Sequence, residues 1–85
     1  MDIEFDPAKD SDNIAKHGVS LADFAGFDAM PVTIADDRQD YGEARFRAFG
    51  RIDGVPHMIA YTVRSGKVRL ISFRRAHAKE MRRHE

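Results

Sequence analysis

The chain has no cysteine and no tryptophan, and only two tyrosines and three prolines among its 85 residues. Lacking cysteine, it can form neither disulfide staples nor thiolate metal sites. No apolar run approaches the ~20 residues that a membrane-spanning helix needs. The N-terminus shows no signal-peptide pattern, so the sequence reads as cytoplasmic. Other absences narrow the chemistry. There is no glycine-rich phosphate loop and no serine-centred nucleophile motif, and the four histidines show neither HxxxH nor HExxH spacing. A protein without metal or other cofactor is expected.

Eighty-five residues imply a single domain, residues 1–85, with a thin core and marginal stability. A composition of 42 % hydrophobic and 33 % charged residues is that of a globular chain, not a disordered one. The formal net charge of zero conceals a strong asymmetry. Residues 1–43 carry three basic and eleven acidic side chains (net −8), and residues 44–85 carry eleven basic and three acidic ones (net +8). The basic half suits an anionic partner, although the two halves also attract each other within one fold.

Along the chain, Ile3 and Phe5 alternate with Asp2, Glu4 and Asp6, as in a short strand. Asp6-Pro7 reads as an N-cap followed by proline at the first helical position, and the helix should run to about His17. Gly18 supplies a left-handed C′ residue, which brings Ile14 and Val19 to the contacting positions of a Schellman motif. Ser20 and Asp23 form a capping-box pair for a second helix, with Leu21, Phe24, Ala25 and Phe27 on its apolar side. Val32–Ala35 reads as a strand and residues 36–43 as a loop. Asp53-Gly54 and Ser65-Gly66 are two-residue hairpin signals between strands at about 45–52, 55–64 and 67–74. A last helix should cover about 76–84. The expected fold class is α+β: a small antiparallel sheet with two N-terminal helices on one face and a short C-terminal helix.

The two hairpins set a register. It places Ile52 opposite Val55, Phe46 opposite Tyr61, Tyr61 opposite Leu70 and Val63 opposite Val68. One face then carries Phe46, Ala48, Ile59, Tyr61, Val63, Val68 and Leu70, a core face for the helices to cover. The other carries Arg45, Thr62 and Arg69 in one row, Arg47 beside Ala60 and Ile71, and Arg64 and Lys67 nearby. An apolar row of Phe49, Met58 and Phe73 lies at its far end. Guanidiniums beside aromatics on a rigid sheet suit phosphate contacts and base stacking in single-stranded RNA. A solvated sheet face would look similar, because arginine stems cover apolar neighbours.

The C-terminal segment is dense in proton-transfer groups and cations: Arg74, Arg75, His77, Lys79, Glu80, Arg82 and His84. Cutting RNA without a metal takes a base for the 2′-hydroxyl, cations for the phosphorane and an acid for the 5′-oxygen. Arg69 and Arg74 are candidates for the charge. His77, Lys79, Glu80 and His84 remain alternatives for acid and base. Arg45, Arg47, Arg64, Lys67, Arg75 and Arg82 are candidates for holding RNA. His17 reads as a helix cap and His57 as a satisfied polar residue at the edge of the core face. The terminal helix could also be no more than a solubilised end docked by Ala78 and Met81.

Three ordered blocks resemble the BrnT toxins. They are Phe5-Asp6…Lys9…Asn13…Lys16-His17-Gly18-Val19-Ser20; then Asp37-Arg38…Asp40-Tyr41-Gly42-Glu43…Arg45, Gly50 and Tyr61-Thr62…Arg64; and finally Arg69…Ile71-Ser72…Arg74-Arg75-Ala76…Glu80. The resemblance covers nearly the whole chain. It implies a RelE-like ribonuclease fold and the toxin of a type II toxin–antitoxin system, an RNA endonuclease that inhibits translation. It also implies neutralisation by a cognate BrnA-like DNA-binding antitoxin, with operator DNA reached only through that partner and no role for a membrane. Arg45, Arg64, Arg69, Arg74, Arg75 and Glu80 fall on its motif positions. Family members commonly have tyrosine where this chain has His84, and histidine could take over a proton-transfer role there with a pKa nearer neutrality. The alternative is a non-catalytic nucleic-acid-binding or antitoxin-binding module.

Overall fold

The structure is a computed structural model and describes residues 2–38, 40 and 42–84. Tyr41, one of the motif residues above, and the terminal Glu85 lie outside them. Five strands form one sheet in the order β1-β5-β4-β3-β2, from β1 (Ile3–Phe5), β2 (Val32–Ala35), β3 (Phe46–Ile52), β4 (Val55–Arg64) and β5 (Lys67–Arg75). Helix α1 (Pro7–His17) follows β1, and α2 (Ala78–His84) ends the described chain.

Both hairpins form at the expected dipeptides. Asp53 and Gly54 have φ of 51° and 78°, and Ser65 and Gly66 have 51° and 75°. Positive φ at both central residues matches the right-handed twist of the flanking strands. Asp28 braces the first turn by accepting hydrogen bonds from the Asp53 and Gly54 amides, each at 2.9 Å. Those two bonds hold its carboxyl below the usual carboxylate range.

Two features of the expected fold are corrected. The sheet is mixed, because β1 pairs in parallel with β5, Ile3 to Val68 and Phe5 to Leu70. And there is one N-terminal helix, not two covering one face. The Ser20–Asp23 capping box forms, but it starts only a 3-10 turn, Leu21–Asp23. Phe24 is already extended and Gly26 follows with φ of 120°. A capping box satisfies the first amides of a helix and cannot by itself supply the turns that must follow. The segment instead crosses the sheet in open form and presses Phe24 and Phe27 onto it, their rings 5.2 Å apart and Phe24 5.4 Å from Phe73. Gly50 makes room, since a Cβ there would lie 2.7 Å from the Phe27 ring. Leu21, Ala48, Ile59, Leu70 and Phe73 are buried together in this layer.

The register holds through Tyr61–Leu70 and then slips by one residue, so that Ala60 faces Ser72 and Met58 faces Arg74. A bulge of this kind reverses the facing of everything beyond it. Phe73 therefore leaves the apolar row expected on the second face and joins the core, where His57 stacks on it at 5.5 Å. Arg74 takes the opposite side. The place left beside Phe49 and Met58 is filled by Met81 of α2, which docks the terminal helix on that face.

Helix α1 buries a single side chain, Asn13. It stands where β1 has ended and pairs with the open edge of β5. Its Nδ2 donates to the Phe73 carbonyl at 2.8 Å and to the Val19 carbonyl at 2.9 Å, and its Oδ1 accepts from the Phe73 amide at 3.0 Å. One amide side chain thus does the work of a neighbouring strand residue and fixes α1 beside the second half of β5. Asp10 secures the next segment by accepting from the Leu21 amide at 2.7 Å and from the Ser20 hydroxyl.

Candidate nucleic-acid interface

Fixing α1 against β5 creates a line of three adjoining depressions. The first, of about 280 Å³, holds Arg45, Arg64, Arg69, Thr62 and Glu43, with Lys9 at its border. The second, about 160 Å³, lies over Asn13 and Ser72 and shares Lys9 and Ile71 with the first. The third, about 470 Å³, is lined by Lys16, His17, Val19, Arg74, Arg75 and His77, and shares Lys16 and His17 with the second. Carboxylates line the first two, Asp6 and Glu43 in one and Asp12 in the other. Among the described residues no carboxylate lines the third, although Glu80 stands directly behind Arg74.

Cations in the first depression are paired with acids of the N-terminal half. Arg64 donates to Glu43 Oε2 at 3.0 Å, and Arg69 lies 3.5 Å from Glu4 and 3.8 Å from Asp6. These pairs are solvent-accessible and worth ~0–1 kcal/mol each, so a phosphate can displace the carboxylates at little cost. The charge asymmetry of the sequence thus has two consequences at once: the halves attract each other, and the surplus cations line a track.

Arg74 is held differently. Its two terminal nitrogens meet both oxygens of Glu80, at 2.8 and 2.9 Å, and Nη1 also donates to the Arg75 carbonyl at 3.1 Å. Three of the five guanidinium donors are occupied and two remain for a ligand. Glu80 also accepts the His77 amide at 3.0 Å, one half of a capping box at the start of α2. The Arg74 guanidinium, helped by that amide, holds the Glu80 carboxyl down at about 2. At neutral pH it is a fixed anion that orients Arg74, and it has no proton to give.

The remaining sequence candidates are dispersed. The Arg47 guanidinium lies 5.7 Å from the Phe49 ring centre, and its Nε is buried without a hydrogen bond among the described residues. His84 stacks on the same Phe49 ring, 4.3 Å between centroids at 22°. It is therefore on the second face but away from the third depression. Lys67 is exposed at the hairpin tip opposite Arg64. Lys79 and Arg82 are exposed on α2 and line none of the three depressions. Asp36, buried and fastened to Arg38 at 2.7 and 2.9 Å, has its carboxyl drawn down to about 2 chiefly by those bonds. It anchors the start of the 36–43 loop.

Lys16, His17 and Lys9 line the track although sequence reasoning gave them no binding role. Position on the helix hid them: at the end of α1, Lys16 and His17 fit the macrodipole so well that this alone explains them. Among the described residues no group of three or more histidine, aspartate or glutamate side chains is placed to share a metal ion, and no helix is long and apolar enough to cross a membrane.

A family model described as a ribonuclease toxin, BrnT, of a type II toxin–antitoxin system matches residues 5–80. No curated protein matches the chain.

Proposed function

The chain belongs to the BrnT family of ribonuclease toxins of type II toxin–antitoxin systems, and from that premise we propose that it is an endoribonuclease that cuts without a metal and so lowers translation. Its partner is a BrnA-like DNA-binding antitoxin, through which alone it reaches operator DNA, and both act in the cytoplasm. The observation that supports the catalytic part is the cleft around Arg74. An arginine locked in place by Glu80, with two donors still available, is a preorganised stabiliser for a phosphorane. Arg75 and Lys16 add charge in the same cleft, and the adjoining depressions carry Arg45, Arg64, Arg69 and Lys9 for the flanking phosphates. Transesterification at the 2′-hydroxyl needs only such cations and two proton-transfer groups.

The test is to incubate the purified, antitoxin-free chain with total RNA in excess EDTA and analyse the fragment ends. Fragments ending in 2′,3′-cyclic phosphate, with 5′-hydroxyl on the other side of the cut, are expected. Intact RNA from folded protein, again with ribosomes supplied, would favour a non-catalytic binding module.

A further inference from the structure

Resting on that ribonuclease reading, we propose that the reacting phosphate occupies the cleft between the end of α1 and the β5–α2 link, where His17 takes the 2′-hydroxyl proton and His77 protonates the leaving 5′-oxygen. The two imidazoles come from separate parts of the chain and line one cleft of about 470 Å³. That volume lies in the range of sites that enclose small ligands, about 300–1,000 Å³. The backbone at each position is tied down. His17 is the last residue of α1, directly before Gly18, whose left-handed backbone donates to the Ile14 carbonyl at 2.8 Å. At His77 the backbone N–H donates to Glu80 Oε1 at 3.0 Å, and the neighbouring Ala76 N–H donates to the Pro56 carbonyl at 3.0 Å.

The surroundings of His17 suit a base. Partial desolvation of the His17 ring, then the charges of Arg74 and Lys16, lower its pKa, so the imidazole is neutral and able to accept a proton at pH 7. Other proton-transfer candidates are placed elsewhere or already committed. Glu80 is a fixed anion on Arg74, His84 is stacked on Phe49, and Lys79 is outside the cleft.

The step balances without a co-reactant. The unprotonated nitrogen of His17 removes the 2′-hydroxyl proton, and the 2′-oxygen forms a bond to phosphorus. The bond from phosphorus to the 5′-oxygen breaks, and that oxygen keeps the electron pair and takes the proton of the His77 imidazolium. The products are a 2′,3′-cyclic phosphate and a 5′-hydroxyl, and exchange with water resets both rings. Arg74 carries the charge that develops on the non-bridging oxygens.

The test is single-turnover cleavage of a defined single-stranded RNA by H17Q and H77Q, with RNA affinity measured in parallel. Each variant should cut about 10²- to 10⁴-fold more slowly while binding RNA as the unaltered protein does. A substrate with sulfur in place of the bridging 5′-oxygen separates the roles, because a thiolate leaves without a proton. It should restore H77Q to near the rate of the unaltered protein and leave H17Q slow. If thermal melting shows that H17Q loosens the end of α1, H17N serves in its place. Two variants that cut at the unaltered rate, or a sulfur substrate that rescues neither, overturn the assignment even though the protein cuts RNA. Intact RNA from the unaltered protein overturns the ribonuclease reading itself.

Discussion

Replacing Asn13 by alanine is expected to lower stability by about 4 kcal/mol, because it strands several buried backbone groups at ~1–3 kcal/mol each. Asn13 is 3 % exposed, and its amide satisfies both the N–H and the C=O of Phe73 as well as the Val19 carbonyl. Phe73 lies in the core cluster, so water reaches the vacated edge only if α1 moves away. A loss of that size is a large part of the ~5–15 kcal/mol that holds a small domain together. At roughly 4–8 °C per kcal/mol for a chain of this length, the melting temperature should fall by more than 15 °C. N13D should be no better at pH 7, because an ionised carboxylate has no donor to offer the Phe73 and Val19 carbonyls. Thermal and urea unfolding measure the effect. A drop under about 1 kcal/mol would mean that α1 is not attached through this side chain, and that the track beside it is not a fixed feature.

Substituting Arg74 by alanine should reduce the cleavage rate by about 10²- to 10³-fold, the usual consequence of removing one preorganised charge donor. RNA affinity should change only a few-fold, because Lys16 and Arg75 line the same cleft and Arg45, Arg64 and Arg69 line the adjoining depression. R74K should recover part of the rate, since it keeps the charge but cannot span both oxygens of Glu80. E80Q gives a further split. It weakens the clamp on Arg74 and removes a negative charge, so the rate should fall while RNA binding tightens. Paired measurement of single-turnover rate and affinity separates catalysis from holding. A proportional loss of rate and affinity in R74A would describe a protein that only binds RNA.

Local signals in the sequence carried most of the framework. The Asp6 cap, the left-handed Gly18, both hairpin dipeptides and the register up to Tyr61–Leu70 depend on residues close together in the chain and all form, although the Gly18 amide makes the single bond to the Ile14 carbonyl of a simple left-handed cap and not the Schellman pair. The failures come from interactions between distant segments. No local rule marks the bulge opposite Ala60 and Tyr61, yet it moves Phe73 into the core and Arg74 to the other face. The parallel pairing of β1 with β5 joins the two ends of the chain and likewise has no local mark. The Ser20 capping box forms, but the propensity of the following residues is overridden by the gain from packing Phe24 and Phe27 against the sheet. Of the candidate site, the arginines were legible as a basic, sheet-borne set. The cleft was not, because its walls are the end of α1 and the link after β5, separated by nearly the whole sheet in sequence. His17 looked fully explained as a cap until Asn13 placed its helix beside Arg74.

The most direct measurement is amide chemical-shift mapping with a single-stranded oligonucleotide that lacks the attacking 2′-hydroxyl and so cannot be cut. Binding along the α1–β5 track should move the signals of Lys9, Asn13, Lys16, His17 and the Arg74–His77 stretch, while leaving Ile3, Phe24 and Tyr61 on the opposite face unchanged. Shifts concentrated on that opposite face, or centred on Lys79 and Arg82 of α2, would contradict it and move the RNA site off this cleft.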